Sequence, residues 1–508
     1  MKIPFAPFFQ RLFARNKHER SFNGASGGRL LADWAASNTS ADSEIRGSIR
    51  KLIDRSRSLE RDNDYQRGFL LSCQRNINGS QRYDLRAEAG EYVSQGKGKE
   101  PVWTLDKMAN RLIEEAWQEW GKKGSCTICK TYNWRGVRRI LVRSVVRDGN
   151  FLARKIRGAA AGNRFGFALQ IWEIDHLDFD RFDKLKGGGE IRFGIEYNAD
   201  KAPVAYWLKS RHPGDYVGTD GGYTVKRFPA DEIYHVCLRD RAEQSIGYPW
   251  IVSAITRLRQ LGAFEEAATI AARLGASKAA YFEKPGGNGS IGAWTGPTDA
   301  NGRAISDTQP GQIEELPEGW KMGTVDWQYP NIETGDFRKA MLRGVATSLG
   351  ASYTTVGNDL ESVNFSSARV GLFDEREGWK DLQLFFTEEF FELVFADWLE
   401  AAMMSGALNL PLAKFVKFNR PIFKARRWAF IKPGEEMEAI KTGIALRVTS
   451  RRQAIEDQGG DVEETFLDNR DDEALAESMG LDLNPPEPGK PAQAGARPKT
   501  DDEELPAT

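Results

Sequence analysis

The 508-residue chain predicts an α+β fold, with helices and strands in separate blocks. Two observations predict it. Segments rich in β-branched and aromatic residues, with approximate alternation, gather between residues 151 and 238: FLARKIR, RFGFALQIWEI, EIRFGIEY, VAYWLKS and DEIYHVCL. Stretches with helical spacing of apolar residues flank that block on both sides. At this length two to four structural units are expected.

Taken in order, residues 1–20 hold five Lys/Arg against one Glu. Their apolar stretch is cut by Gln10 and Arg11 and no small-residue cleavage site follows, so no signal or transit peptide is expected. Residues 43–76 read as one helix with Ser40 or Asp42 as N-cap. Within it Arg55, Arg57 and Arg61 alternate with Asp54, Glu60 and Asp62, the pattern of a solvated face; a phosphate grip is the sharper alternative. Residues 104–121 place Leu105, Met108, Leu112, Ala116 and Trp120 on one helix face, and 133–148 form an Arg-rich helix. In the strand block, Gly187-Gly188-Gly189 and His212-Pro213-Gly214 serve as turns. The triple glycine precedes no helix start and is not a phosphate loop. His235, inside an apolar strand, reads as a hydrogen-bonded core residue.

A long Ala-rich helix is expected to run to about residue 282, its small residues allowing close helix approach. Residues 285–333 are dense in Gly and Pro, with isolated Trp294, Trp320 and Trp327. They form an inserted module whose tryptophans either meet a partner or anchor a local core. Helix 334–350 carries Phe337, Met341, Leu342 and Val345 on an apolar stripe and stops at Gly350. A polar loop precedes a helix over 366–404. There Phe373, Phe385, Phe386, Phe390, Phe391, Phe395 and Trp398 read as core. Residues 433–482 read as two or three short helices broken at Gly434, Gly443, Gly459-Gly460 and Gly480. Residues 431–482 hold six Lys/Arg against fourteen Asp/Glu, a net charge of 6 − 14 = −8. Residues 484–508 are Pro-rich and polar, the composition of a disordered tail.

The chemistry-bearing motifs are sparse. There is no G-x-x-x-x-G-K-[ST], H-E-x-x-H or G-x-S-x-G. With four histidines, at 18, 176, 212 and 235, and four cysteines, a metal centre is not expected. Cys126 and Cys129 form a C-x-x-C without a second pair, read as reduced, packed thiols. No cofactor is implied. No apolar run reaches the roughly 18 residues of a membrane span. A formal net charge of −1 disfavours tight static DNA binding. The alternative from another class is a carbohydrate-active hydrolase using paired carboxylates and exposed tryptophans.

Five motifs carry a resemblance. They are R-S-R-x-L-x-R-x-N at 55–63, R-x-x-Q-x-x-G-x-P at Arg241, Gln244, Gly247 and Pro249, and G-x-S-Y at Gly350, Ser352 and Tyr353. The fourth is N-F-S-S-x-R at Asn364, Phe365, Ser366, Ser367 and Arg369, and the last is AIEDQGGDVEE at 454–464. In this order the chain resembles the lambda-type portal proteins of tailed bacteriophages. Departures are Asp62-Asn63 where a double Asn is common, and Phe365 where Tyr is.

The resemblance implies a portal fold and no enzyme. Its parts would be an N-terminal arm (1–39), an α/β wing (40–246), a two-helix stem (247–284 and 334–350), an inserted clip (285–333) and a tunnel loop (351–365). A long helix returning to the wing (366–432), a helical crown (433–482) and a disordered tail (483–508) would follow. It implies a dodecameric ring at one capsid vertex, through which double-stranded DNA is packaged and ejected. The 55–63 motif would contact neighbouring subunits. Thr354, Thr355, Asn358, Asp359 and Glu361 of the loop and Arg338, Lys339 and Arg343 of the stem would face the channel. Trp294, Trp320 and Trp327 of the clip would bind partners. Those partners would be the terminase large subunit, head-tail adaptor proteins, and the major capsid and scaffolding proteins, with no membrane. The protein would reside in the virion and, during assembly, in the host cytoplasm.

Overall fold

The computed structural model of the chain describes residues 38–79, 85–94, 102–215, 222–276, 280–283, 300, 321–324, 333–361, 365–460 and 462–481. The expected helix over 43–76 is three: α1 (Ala41–Arg46), α2 (Ile49–Asp62) and α3 (Asp64–Asn78). The Ser40 hydroxyl accepts from the Ser43 amide at 3.3 Å and caps α1. Asn63 ends α2 because its backbone is extended, and its side chain accepts from the Gln66 amide at 3.0 Å to cap α3.

Strands β1 (Leu85–Ala87), β2 (Gly90–Val93) and β3 (Val102–Leu105) precede α4 (Lys107–Trp120), whose cap is Asp106. Leu105 therefore ends a strand. The buried face of α4 is Ala109, Ile113, Ala116, Trp117 and Trp120, while Met108 is 74 % exposed and Leu112 is exposed. The expected face was turned by one residue because the two bulky indoles, 4.8 Å apart, decide which side faces inward. Helix α5 (Trp134–Asp148) matches its expected span, capped by Asn133 and ended by Gly149 at φ +82°.

The strand block forms two antiparallel sheets. β4 (Asn150–Arg157) and β5 (Phe167–Trp172) come first, then β6 (Asp183–Lys184), β7 (Glu190–Arg192), β8 (Ile195–Tyr197), β9 (Pro203–Lys209), β10 (Val225–Pro229) and β11 (Ile233–Cys237). One sheet has the order β11-β4-β5, the other β10-β9-β8-β7-β6. EIRFGIEY, expected as one strand, folds back at Phe193 and Gly194. Both have positive φ (51° and 76°), the backbone a two-residue hairpin turn requires.

Helix α6 (Ile255–Ala276) stops short of the expected residue 282, and β12 (Ala280–Glu283) pairs antiparallel with β13 (Lys321–Thr324). Tyr281 and Phe282 favour the strand. Most of 285–333, Trp294, Trp320 and Trp327 included, lies outside the described residues. Then come α7 (Glu333–Ser348), α8 (Tyr353–Gly357) and α9 (Phe365–Phe386). A π turn over Thr387–Phe391 leads directly into α10 (Glu392–Met404). After α11 (Phe415–Phe418), β14 (Pro421–Phe423) pairs with β1. The acidic region holds α12 (Pro433–Ala445), α13 (Arg451–Asp457) and α14 (Val462–Ser478). Gly434 and Gly443 lie inside α12 and do not break it; Gly459-Gly460 and Gly480 do mark ends.

The larger core joins α3, α4 and α5 and the β11-β4-β5 sheet to the α9–α10 helix. Trp117 sits 5.0 Å from Trp398, Trp134 stacks 5.9 Å from Phe390, and Trp120 donates to the Phe167 carbonyl at 2.8 Å. The smaller core packs α1 and α2 on the five-stranded sheet. No helix among the described residues is long and apolar enough to cross a membrane.

Candidate functional site

The candidate site is the segment 351–361, held between α7 and α9. Helix α7 ends in a Schellman motif: Gly350 takes φ +62°, its amide bonds the Thr347 carbonyl at 3.3 Å and the Ala351 amide bonds the Ala346 carbonyl at 3.1 Å. Ser352 then caps α8, accepting from the Thr355 amide at 3.2 Å. Asn358, at φ +48°, ends it. The polar loop expected here thus contains a one-turn helix, and its Val356 is buried.

Each side of the segment is tied down. From α9, Glu375 accepts from Thr355 Oγ1 at 2.9 Å, from the Ser352 amide at 3.4 Å and from Trp379 Nε1 at 3.2 Å. From α7, Lys339 Nζ lies 3.7 Å from Asp359 Oδ2 and 3.8 Å from Glu361 Oε2. Tyr353 OH donates to Asp359 Oδ2 at 2.8 Å, and the Arg343 guanidinium lies 5.5 Å from the Tyr353 ring centre. The Asp359 carboxyl is held below its ordinary range, first by the Glu361 amide (3.0 Å) and then by Tyr353, with Lys339 and Arg338 adding charge. Tyr353 moves up, through burial and then its bond to Asp359.

The sequence-derived candidates sort accordingly. Lys339, Asp359 and Glu361 form one cluster, with Arg338 and Arg343 beside it. Thr355 turns toward Glu375, Thr354 bonds the Ser352 hydroxyl at 2.8 Å, and Asn358 is exposed. Tyr353 as a bridge and Glu375 as an anchor were not among the expected site residues. The Ser352-x-x-Thr355 spacing was the signal for the cap.

Residues of three other motifs also have partners within the chain. Arg57 Nε bonds Asp148 Oδ1 at 2.9 Å and its Nη2 bonds Asp175 Oδ2 at 2.6 Å. Buried Glu60 pairs with Arg143 and with Arg147, the latter at 3.2 Å. Burial opposes the Arg57 charge, but Asp148 and Asp175 more than offset it and raise its pKa. The solvated face expected here is therefore an interior charge network at Arg57 and Glu60. In the second motif, the Gln244 side chain accepts from the Asp240 and Arg241 amides and donates to the Ile246 carbonyl at 2.8 Å. Gly247 lies against Gly149, bracketed by Asn150, whose side chain bonds both its amide and its carbonyl at 2.8 Å. Arg369 reaches toward Glu435 and Glu436 at 3.8 and 3.9 Å. Cys126 is buried as expected, whereas Cys129 is exposed.

Among the described residues, Glu173, Asp175 and His212 form a cluster of metal-ligand types. His212 Nε2 faces the two carboxylates at 3.4 and 3.5 Å. Its Nδ1 accepts from the Gly214 amide at 3.0 Å, which places the proton on Nε2. Asp175 is already neutralised by Arg57. The arrangement is that of a ring N–H turned to an ion-paired carboxylate.

The sequence matches the family described as phage portal protein, lambda family, over residues 27–383. It is 29 % identical over 485 residues to the "Probable portal protein" of Halomonas phage phiHAP-1, covering 94 % of this chain and 90 % of that one. Among solved structures, it is similar to a chain in the neck of an empty GTA particle computed with C6 symmetry. The TM-score there is 0.44 at 13 % identity, with 85 % of this chain and 99 % of that chain covered. A chain from the virion of a native gene transfer agent particle gives a TM-score of 0.43 at 13 % identity, with 85 % and 98 % covered. Nothing in these matches supports the hydrolase alternative.

Proposed function

The chain belongs to the lambda family of phage portal proteins, and on that premise we propose that its copies form a dodecameric ring at one capsid vertex. Double-stranded DNA passes through that ring during packaging and ejection. The protein is a structural component of the virion, assembled in the host cytoplasm. Residues 40–246 form the wing, α6 and α7 the stem, 285–333 the clip and α12–α14 the crown. The clip, through Trp294, Trp320 and Trp327, docks the terminase large subunit and then the head-tail adaptors. The major capsid and scaffolding proteins surround the ring.

Segment 351–361 lines the channel. The observation that supports this most is that the family match runs through residue 383, spanning α7, the segment and most of α9. The charge fits a conduit. Duplex DNA carries one charge per ~1.7 Å, and each phosphate neutralised adds salt-dependent affinity. Here three cations, Arg338, Lys339 and Arg343, are set against two carboxylates, Asp359 and Glu361. A nearly balanced lining touches phosphates without gripping them.

The test is electron microscopy of the purified full chain, then deletion of Val356–Glu361. Rings with a central hole are expected from both proteins. The deletion is expected to enter procapsids yet package or retain less DNA. Monomers in place of rings would overturn the assembly; equal packaging and retention would overturn the channel-lining role.

A further inference from the structure

We infer that residues 1–20 of this protein dock on the exposed face of α14, in their own or an adjacent subunit. The face is built by helix geometry. Asp468, Asp471, Asp472 and Leu475 of the helix, and Met479 in the turn just past its end, follow at steps of three, one, three and four residues, so they stack on one side. All five are exposed, Leu475 by 54 % and Met479 by 64 %. Across its 17 residues α14 carries seven carboxylates and one arginine, a net charge of 1 − 7 = −6. It is held to the body on another side, where Lys107 of α4 meets Glu463 at 2.9 Å. The open side is thus apolar at its C-terminal end and acidic along its length.

Charge selects the occupant. A second α14 would bring another −6 against the same face, and like charges repel. The complementary surface is basic and aromatic. Residues 1–20 supply it: five Lys/Arg against one Glu give a net of 5 − 1 = +4, and Phe5, Phe8, Phe9, Leu12 and Phe13 give apolar area. Residues 21–37 join this segment to the described fold, and 17 residues of chain span up to ~60 Å. Arg11 and Arg15 meet Asp468 and Asp472, while the phenylalanines cover Leu475 and Met479.

The experiment uses the full-length chain carrying Leu475→p-benzoylphenylalanine, irradiated and mapped by mass spectrometry. The adduct is expected within residues 1–20, and mixed isotopic labelling tells own from adjacent subunit. Arg11→Glu with Arg15→Glu is expected to lower the yield about fivefold, and adding Asp468→Arg with Asp472→Arg to restore it. Raising salt from about 50 to about 500 mM should lower it as well. Circular dichroism should be the same for all variants, since every changed position on α14 is exposed. Adducts on another segment, or a yield indifferent to charge reversal, would overturn the docking. So would full-length protein that forms no such adduct but binds anionic vesicles or duplex DNA through Arg11 and Arg15.

Discussion

Gly247 meets Gly149 backbone to backbone: a Cβ added at Gly247 would lie 2.2 Å from the Gly149 carbonyl oxygen. The neighbour is main chain and cannot swing aside. The glycine of the R-x-x-Q-x-x-G motif therefore sets the closeness of the 241–249 turn to the end of α5. Gly247→Ala is expected to lower stability by about 1–3 kcal/mol or more in urea unfolding. Gly222→Ala, where no atom of the described residues lies within 4 Å, is the control and should stay within about 0.5 kcal/mol of wild type. Equal stability of the two variants would show that the turn relaxes freely.

Arg57 bridges Asp148 and Asp175 from a position that is itself mostly covered. Arg57→Ala is expected to cost about 2–4 kcal/mol, below the upper range for buried pairs because Arg147 also neutralises Asp148. Arg57→Lys should recover less than half, since one ammonium does not reproduce a guanidinium fork spanning two carboxylates. Chemical denaturation of both variants measures this. Full recovery by lysine would mean that charge alone matters.

Burial pushes the His235 imidazole down to about 3, with Arg239 adding to the effect. In the unfolded chain the group titrates near 6.5. Between those values the unfolded state binds a proton that the folded state refuses, so stability falls as pH drops from about 6.5 toward about 3. The slope is at most about 1.4 kcal/mol per pH unit. His235→Gln, which keeps a donor toward Asn150 Oδ1, is expected to flatten the curve between about pH 6 and about pH 4.5. An unchanged slope would assign the acid sensitivity to other groups.

The two anchors of segment 351–361 differ in kind. Glu375 is buried, and its loss strands the Trp379 N–H, the Thr355 hydroxyl and the Ser352 amide; Lys339 is only partly covered and acts through one ammonium. Glu375→Ala should speed amide exchange over 352–357 by about tenfold or more, and Lys339→Ala by about threefold or less. Thermal unfolding of the main core should move little in the lysine variant. The reverse ranking would place the hold on the α7 side.

The legible features were those written in local spacing. Ser40 announced its helix, and the aromatic run from Phe385 to Trp398 announced a core, whereas Phe373, read with them as core, is exposed. The hairpin at Phe193-Gly194 was not legible, because alternation continues through EIRFGIEY and a non-glycine at positive φ leaves no mark. Nor was the interior role of Arg57, whose partners Asp148 and Asp175 lie 91 and 118 residues away. In the candidate site, the residues facing α7 were named from charge. The Tyr353–Asp359 bridge was hidden because it closes only when Asn358 turns left-handed.

The π turn at Thr387–Phe391 has the arithmetic of an inserted residue. The buried positions run Trp379, Gln383 and Phe386 before it and Phe390 within it; continued at helical spacing they would reach Leu393 and Asp397. Leu393 is instead exposed, and the buried series resumes one place later at Val394, Trp398 and Ala402. One wide turn absorbs the extra residue, so the downstream half keeps the same face to the core without rotating about 100°. Shortening the chain by one residue within 387–391 would leave an unbroken α-helix with Trp398 still in place. The same deletion a few positions later would swing the tryptophan out of its pocket. This helix therefore has one position where its length can change by a residue at little structural consequence.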